Sequence, residues 1–251
     1  MLYLVGIGLS NFDIPVGLAE LCRRCEVYVD RYTTFIDEKK FIHLTSLIGR
    51  EPIELSRAAM EENIKEILKK AKEKDVAILI GGDPLVATTH KIMYIGARKA
   101  GVPVKTMHAS SGISALLGES GLDFYRFGQI CTISRWSEHY TPVSFYETIQ
   151  RNRKANLHSL VLLDYDPVRN SSLELREAVR ILEEAEKKYG GNIVNDNTVI
   201  FIMHKIGLDD QQKMMTTMRE GKRLTFGVGP TAIIIPGELA DVEKDVVESM
   251  Y

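Results

Sequence analysis

The first half of the chain alternates short, continuously apolar runs with segments of helical periodicity, which leaves few folds open. The candidate strands are Leu2 to Ile7, Glu26 to Asp30, Val76 to Ile80 and Val102 to Met107. The candidate helices are Ile14 to Cys25, a helix through Ile64, Ile67, Leu68 and Ala71, and Val86 to Lys99. Strands buried on both faces read as continuous apolar runs, and helices between them cover a parallel sheet. The pattern predicts an α/β fold with a mostly parallel first sheet.

A second α/β region follows the small-residue stretch Ala109-Ser110-Ser111-Gly112, which is typical of a hinge. Its candidate strands are Gln129 to Ser134, Leu157 to Asp164, Asn197 to Ile206 and Thr231 to Ile235. Ser171 and Glu174 have the spacing of a capping box before an amphipathic helix, and Arg219 to Arg223 indicates a solvated turn. We predict an N-terminal α/β domain over residues 1–109 and a C-terminal α/β domain with a mixed sheet over residues 110–251.

Charge and composition exclude several classes of function. Lys and Arg (32) nearly balance Asp and Glu (34) for a net charge of −2, so no global field attracts nucleic acid. No apolar run is long enough to cross a bilayer and the first residues lack a signal peptide's features, which predicts a cytoplasmic protein without membrane contact. The odd count of three cysteines indicates reduced, packed thiols, although Cys22 and Cys25 have a redox or half-zinc spacing.

Two glycine-bearing turns follow predicted strands, where open parallel sheets bind their ligands. Gly6-Ile7-Gly8-Leu9 allows a close backbone approach, but it lacks the third glycine of a dinucleotide site. In Gly81-Gly82-Asp83-Pro84, Asp83 is either an ordinary helix N-cap or an acceptor for a ligand's amine or hydroxyl. The sequence has no phosphate-binding GxxxxGK[ST] run, no HExxH pair and no GxSxG elbow, so we expect neither a nucleoside triphosphate nor a metal.

These turns, with Asp13-Ile14, make the sequence similar to the tetrapyrrole methylase superfamily, whose members bind S-adenosylmethionine in a cleft between two α/β domains. The segment from Pro142 to Asp164, PVSFYETIQRNRKANLHSLVLLD, resembles the signature of the diphthine synthase family. Further matches are Tyr32-Thr33-Thr34, Gly121-Leu122, Tyr125-Arg126-Phe127-Gly128 and Ile235-Pro236-Gly237. The resemblance covers essentially the whole chain and implies a tetrapyrrole-methylase-like fold.

The resemblance also implies an activity and a set of contacts. The activity is transfer of methyl groups from S-adenosylmethionine, leaving S-adenosylhomocysteine, to the amino group of a 3-amino-3-carboxypropyl-histidine in translation elongation factor 2. The residues that match the family's cofactor contacts are Leu9, Asp83, Val86, Gly112, Ile113, Leu163, Ile206 and Thr231. The superfamily implies a homodimer. The cofactor supplies the reactive carbon and the protein mainly supplies position, so no general base is nominated.

Two other functions stay open on the sequence. A corrinoid-precursor methyltransferase would share the first-domain turns and the cofactor, but it should lack the segment from Pro142 to Asp164. A small-molecule sensor would bind a nucleoside-like ligand without turnover, and incorporation of a labelled methyl group into a protein would eliminate it.

Overall fold

A computed structural model describes residues 1–56, 64–166 and 168–251 of the chain. These residues form two compact units, Met1–Ser114 and Ala115–Tyr251. The division between the units falls inside a helix, α5, described below, and the predicted domain boundary after residue 109 stays a prediction.

The first unit is built on a parallel sheet. Its strands are β1 (Leu2–Gly6), β2 (Glu26–Asp30), β3 (Ile53–Glu54), β4 (Val76–Ile80) and β5 (Val104–Met107). Their order across the sheet is β3-β2-β4-β1-β5, and every neighbouring pair among the described residues runs parallel. All five residues of β4 are buried, which explains its continuous apolar sequence.

Helices cover both faces of this sheet. They are α1 (Leu18–Arg24), α2 (Glu38–Ile48), α3 (Ile64–Glu73) and α4 (Lys91–Lys99). Tyr3 and Val5 of β1 pack in one apolar cluster with residues of α1 and α2. Leu2 and Leu4, which point to the opposite face, pack in a second cluster with residues of α3 and α4. The sheet is therefore the middle layer of the unit, as the alternation of strands and helices predicts.

Helix α1 begins at Leu18 and not at Ile14, so the predicted start is wrong. The residue that we read as the start signal, Asp13, has another use. Its carboxylate accepts a hydrogen bond from the backbone N–H of Leu9, at 2.8 Å, within the turn that follows β1. A side chain that points back to this turn does not cap the helix that follows.

Helix α4 begins at Lys91, and the predicted start at Val86 is wrong as well. Ala87 has a φ of 51°, which no regular right-handed helix contains. Asp83 accepts a hydrogen bond from the N–H of Leu85 at 2.9 Å, so it closes a turn and lies eight residues before the first residue of the helix. The interpretation of Asp83 as an ordinary helix N-cap is therefore wrong.

The second unit contains a mixed sheet. Its strands are β6 (Cys131–Ile133), β7 (Ser159–Leu163), β10 (Val199–His204), β11 (Gln212–Thr217) and β12 (Thr231–Ile235), with β8 (Tyr165–Asp166) and β9 (Ser171–Ser172) forming a separate hairpin. The order is β11-β10-β12-β7-β6, in which β6 and β7 are parallel and the other described pairs antiparallel. Edge strand β11 has no counterpart among the predicted strands, because its sequence, QKMMTT, contains no apolar run.

The remaining helices are α5 (Gly112–Glu119), a 3-10 turn (Phe124–Arg126), α6 (Ser144–Lys154), α7 (Leu175–Tyr189), α8 (Met218–Gly221) and α9 (Asp241–Met250). The predicted capping box is wrong: Ser171 lies in β9, and Glu174 is an N-cap without a side-chain hydrogen bond. The prediction of a solvated turn at Arg219 to Arg223 is wrong in part. These residues include the end of α8, and Lys222 forms an ion pair with Asp196 at 3.0 Å.

Glu243 fastens helix α9 to the rest of the second unit. Its buried carboxylate accepts hydrogen bonds from the N–H groups of Asp123, at 2.9 Å, and Ala240, at 2.8 Å. His158 contacts it through Nε2 at 2.9 Å, and Arg126 forms an ion pair with it. One carboxylate therefore connects the start of α9, the 3-10 turn and the residue before β7.

The cysteines pack as thiols, as predicted. Cys22 and Cys25 are buried and Cys131 is half-buried, all three without a disulfide. Burial raises the pKa of Cys22 to about 11 and that of Cys131 to about 12, so both thiols are protonated at neutral pH.

Among residues 1–56, 64–166 and 168–251, no helix has the length and apolar content needed to span a membrane.

Candidate functional site

Three neighbouring strands of the first sheet end at the same edge. β1 lies between β4 and β5, and because all three run parallel their carboxyl ends meet there. The segments that follow these strands carry the predicted cofactor contacts of the first unit. These are Leu9 after β1, Asp83 and Val86 after β4, and Gly112 and Ile113 after β5. The edge is where an open parallel sheet binds its ligands.

Two glycines join the turns after β1 and β4. Gly82 donates its N–H to the carbonyl of Gly8 at 2.9 Å, and Gly8 donates back to Gly82 at 3.3 Å. Both have positive φ values, 68° and 72°, which glycine adopts without strain. A Cβ placed on Gly82 would lie 3.9 Å from the side chain of Leu9, so Leu9 and Asp83 flank one bridge. The structure thus brings two predicted residues together that lie 74 positions apart in the chain.

An ion pair between the buried Lys40 and the half-buried Asp13 supports the Leu9 turn. The carboxylate of Asp13 accepts the Leu9 N–H and lies 3.6 Å from the ammonium of Lys40. Burial by itself would raise the pKa of Asp13, but hydrogen bonds from Leu9 and Ser110 and the charge of Lys40 lower it overall. Burial lowers the pKa of Lys40 to about 8, against the opposing effect of Asp13. Both groups are therefore charged at neutral pH, and sequence reasoning assigned neither this role.

Asp83 forms a pair with a histidine that the sequence analysis did not select. The Nδ1 atom of His108 lies 2.7 Å from Oδ2 of Asp83, while Oδ1 accepts the Leu85 N–H. The carboxylate is almost buried, with 7% of the side chain exposed, whereas the His108 side chain is 68% exposed. His108 directly follows β5, at the place in its turn that Gly81 has after β4. A polar residue at a third strand end was the signal that could have identified it.

The turn that carries Val86 is held at its far end. His90 is fully buried, and its Nε2 atom lies 2.7 Å from the Asp30 carboxylate at the end of β2. Its Nδ1 atom contacts the hydroxyl of Thr88. Asp30 also accepts the N–H groups of Tyr32, at 2.8 Å, and Thr33, at 2.9 Å. The segment from Asp83 to His90 is thus fastened at both ends, and Val86 between them is exposed.

In the second unit, Leu163, Ile206 and Thr231 lie at one end of the mixed sheet. Thr231 pairs with His204 of β10, which lies two residues before Ile206. The next residue, Ala232, pairs with Leu162 of β7, which directly precedes Leu163. The Thr231 hydroxyl lies 2.8 Å from Nδ1 of His204. Burial lowers the pKa of His204, and the nearby charge of Lys205 lowers it further. This histidine is therefore neutral at pH 7.

The carboxyl ends of the strands in the first unit offer a defined set of contacts to a ligand. Each Asp83 oxygen keeps a second lone pair that can accept a hydrogen bond from an amine or a hydroxyl. A Cβ on Gly112 would meet nothing within 4 Å, so there is open space beside the start of α5. An adenosine that bears an amino-acid chain has an ammonium, ribose hydroxyls and an adenine amine, all of which can donate hydrogen bonds to these acceptors. In the described part of the chain, no group of three or more His, Cys, Asp or Glu residues is arranged to hold a metal ion.

We expect Gly6→Ala to destabilise the first unit by about 1 to 3 kcal/mol, the usual cost of overpacking a well-packed site. The new Cβ would lie 2.7 Å from the carbonyl oxygen of Gly82, 2.9 Å from Pro84 and 3.0 Å from Ala109. These atoms belong to the turns that carry Asp83 and His108, and backbone cannot move aside without shifting both. Chemical denaturation monitored by circular dichroism measures the loss.

Gly17→Ala is the matched control, since a Cβ there meets nothing within 4 Å and its φ is −81°. An equal loss of stability in both variants would show that the crowding around Gly6 is not the cause.

Comparisons with known proteins agree over the length of the chain. The family described as tetrapyrrole (corrin/porphyrin) methylases matches residues 1–221. A diphthine synthase of Methanothermobacter thermautotrophicus is 35% identical, over 98% of this chain and 93% of that protein. A diphthine methyl ester synthase of Homo sapiens is 31% identical, over 94% and 90% respectively. The crystal structure of a candidate diphthine synthase from Entamoeba histolytica superposes with a TM-score of 0.88 at 32% identity, covering 100% of this chain and 98% of that one.

Proposed function

Because the chain belongs to the tetrapyrrole methylase family, in the group of the diphthine synthases, we propose that it methylates an amino group within diphthamide biosynthesis. It is a methyltransferase with the α/β fold of that family. The observation that carries the proposal is the similarity to diphthine synthases along nearly the whole chain, in two organisms of different kingdoms. A corrinoid-precursor methyltransferase would belong to the tetrapyrrole methylase family but would not have this similarity to diphthine synthases.

We propose that the methyl donor is S-adenosylmethionine and that eight residues of the two units hold it. They are Leu9, Asp83, Val86, Gly112, Ile113, Leu163, Ile206 and Thr231. When bound, the cofactor supplies an activated methyl carbon on a sulfonium, which leaves as a neutral thioether. The protein's part is to position the acceptor amine in line with that carbon and to exclude water from it. Asp83 supports the proposal because its carboxylate is buried, fixed by two hydrogen bonds and still able to accept more.

We propose translation elongation factor 2 as the protein substrate, with the acceptor on a 3-amino-3-carboxypropyl group attached to one of its histidines. This substrate carries a primary amine and a carboxylate, so both nitrogen and oxygen methylation are chemically open. The relatives include diphthine synthases and diphthine methyl ester synthases, and the second name adds an ester to the product. We propose nitrogen methylation as the reaction of this chain, in a homodimer without metal, nucleic acid or membrane.

The decisive experiment incubates the purified protein with methyl-deuterated S-adenosylmethionine and elongation factor 2 that bears the aminocarboxypropyl histidine. Intact-mass measurement is expected to show stepwise gains of one labelled methyl group. Mild alkali then separates the two linkages, because it hydrolyses a methyl ester and leaves N-methyl groups in place. A substrate that gains no mass, although calorimetry shows that the cofactor binds, would contradict the proposed function.

Asp83→Ala is expected to weaken binding of S-adenosylmethionine by about 1 to 3 kcal/mol, the cost of leaving buried hydrogen-bond donors without an acceptor. Isothermal titration calorimetry on the free protein measures the change. Asp37→Ala is the control, because Asp37 caps α2 through Lys40 N–H in the same unit but is not a proposed contact. Unchanged affinity in Asp83→Ala with an intact circular dichroism spectrum would remove Asp83 from the cofactor contacts.

A further inference from the structure

The pair formed by Asp83 and His108 has the geometry of a proton-accepting dyad. Resting on the proposed amine methylation, we propose that His108 removes the proton from the substrate's amino group before each methyl transfer. Asp83 positions the imidazole for that step. This gives the site a general base, which neither the glycine turns nor the proposed cofactor contacts supply.

Hydrogen-bonding chemistry determines the state of the imidazole. An ionised carboxylate only accepts hydrogen bonds, so the 2.7 Å contact places a hydrogen on Nδ1 of His108. A neutral imidazole has one N–H and one lone pair, and Nε2 therefore carries the lone pair. Because Asp83 is almost buried and His108 is 68% exposed, the lone pair belongs to the accessible part of the pair. Among the described residues Nε2 of His108 has no hydrogen-bond partner, so this atom remains available to a substrate.

The backbone also places the pair at the ligand edge. Asp83 follows β4 and His108 follows β5, on either side of β1, so their hydrogen bond spans the glycine turn after β1. The close packing of Gly6 against Gly82, Pro84 and Ala109 holds these two turns at that separation. The imidazole is thus supported by three strand ends and not by a loose surface loop.

The other histidines do not combine a fixed ring nitrogen with an exposed one. His90 and His158 are fully buried, and both ring nitrogens of each have partners within the described residues. His204 is buried with its Nδ1 atom on Thr231. His139 approaches Glu138 only at 4.0 Å, and both side chains are 90% exposed. A contact in that setting is screened by water and does not orient a ring.

The step balances in protons and electrons. The substrate ammonium gives one proton to Nε2 of His108, which leaves a neutral amine and an imidazolium. The amine's lone pair then forms the new bond to the methyl carbon, and the electrons of the broken carbon–sulfur bond stay on sulfur. The product is again an ammonium, with one N–H fewer. A further methyl requires another deprotonation, so each transfer uses the base once.

Exposure of His108 suits this repeated use. The imidazolium must release its proton to solvent before the next transfer, and a buried histidine would have to do so through the protein. Asp83 stabilises the imidazolium while it exists, because a carboxylate and a cation attract each other at hydrogen-bond distance. A histidine that is hydrogen-bonded to a carboxylate through one nitrogen and exposed to solvent elsewhere can both form a stabilised imidazolium and release its proton.

The test compares His108→Asn with His43→Asn, whose parent residue is an exposed histidine on α2. The asparagine amide at position 108 can still donate to Asp83, because its nitrogen takes the place of Nδ1, but it has no basic atom. Single-turnover methylation of elongation factor 2 bearing the aminocarboxypropyl histidine is followed by mass from pH 6 to 9. Calorimetry reports S-adenosylmethionine binding for each protein.

For His108→Asn we expect unchanged cofactor affinity and a rate at pH 7 that is lower by about tenfold, since a free α-amino group has a pKa of about 7.7 to 8.0. The defect should disappear near pH 9, where the amine loses its proton to solvent, and it should level off at low pH, where the imidazole is itself protonated and the wild type also slows. His43→Asn should follow the wild type. A merely structural role for His108 would give a defect that does not depend on pH in this way.

Two additional measurements test the role of His108 as a base. His108→Gly should regain activity on addition of imidazole, which replaces the lost base. Nitrogen-resolved NMR of the histidine rings in the free wild-type protein should show His108 with its hydrogen on Nδ1. Wild-type rates in His108→Asn at every pH, or a hydrogen on Nε2, would overturn the role of His108 alone. Failure of the wild type to methylate would overturn the proposed function and this proposal with it.

Discussion

Asp30→Ala is expected to lower the free energy of unfolding by about 3 to 5 kcal/mol, the cost of removing one member of a buried, hydrogen-bonded pair. The carboxylate is fully buried and accepts hydrogen bonds from Tyr32, Thr33 and His90. Without it, two partly buried backbone N–H groups and the fully buried His90 imidazole lose their acceptor. Urea denaturation of the two proteins at pH 7 measures the difference.

Asp37→Ala provides the control for Asp30. Asp37 belongs to the same unit and also accepts a backbone N–H, that of Lys40, but it does so at the start of a helix. Loss of an N-cap costs about 1 kcal/mol. Similar losses in the two variants would mean that burial of the pair formed by Asp30 and His90 adds nothing.

The contribution of Asp30 should also depend on pH. Burial by itself raises the pKa of its carboxyl, but hydrogen bonds from His90 and Thr33 outweigh burial and hold the pKa below 3.8. Because the unfolded value is about 3.9, the folded state binds fewer protons in this range. The stabilisation is complete well above pH 4 and is lost as the pH falls through the folded pKa. The difference between wild type and Asp30→Asn should shrink below about pH 4.

Glu243→Ala is the corresponding prediction for the second unit, with an expected loss of about 3 to 5 kcal/mol for breaking a buried charge pair. The variant leaves Arg126 without its carboxylate and removes the acceptor of two backbone N–H groups. Burial alone would raise the pKa of Glu243, but these backbone donors and His158 lower it overall. The carboxylate is therefore ionised at neutral pH. Thermal and chemical denaturation measure the effect.

Asp241→Ala is the matched variant on the same helix. Asp241 is exposed and pairs with Lys244 one turn later at 2.9 Å, so water screens the interaction. We expect no measurable change in stability. A loss as large as that of Glu243→Ala would assign the effect to the helix start in general and not to the buried contacts of Glu243.

Strands were the most predictable part of the fold. β2, β4 and β12 begin and end at the predicted residues, and every position of these strands except Glu26 is buried, which gives each a mainly apolar sequence. β11 is different: it lies at a sheet edge with partly exposed residues, and its mixed sequence carries no such signal. Burial, more than backbone propensity, therefore made the strands predictable from the sequence.

Helix starts were less predictable, since the same polar residues serve helices and turns. Asp13 with Pro15 and Asp83 with Pro84 both have the composition of an N-cap and first helical residue. In the fold, Asp13 binds the Leu9 N–H and Asp83 binds the Leu85 N–H and His108. Local sequence cannot distinguish these uses, because the competing partners come from elsewhere in the fold or from a tighter turn.

The candidate site also contains residues that the sequence predicts and a residue that only the fold reveals. Leu9, Asp83 and Gly112 came from the resemblance and from their places after strands, and the parallel sheet gathers their turns at one edge. His108 was passed over because a single histidine has no periodicity or spacing to mark it. Its significance rests on a partner 25 positions away in the sequence, which only the fold supplies.

The position of β1 has a consequence for how the chain is made. Leu2 pairs with Val76 on one side and Val104 on the other, so β1, which is synthesised before both of its neighbours, is an interior strand of its sheet. At about 5 to 20 residues per second, roughly 5 to 20 s separate the synthesis of Leu2 from that of Val104. β4 can pair with one edge of β1 once it has emerged, but the other edge stays unpaired for the whole of that time, a condition that favours aggregation. We therefore expect that shielding β1 until β5 has left the ribosome suppresses aggregation of the emerging chain.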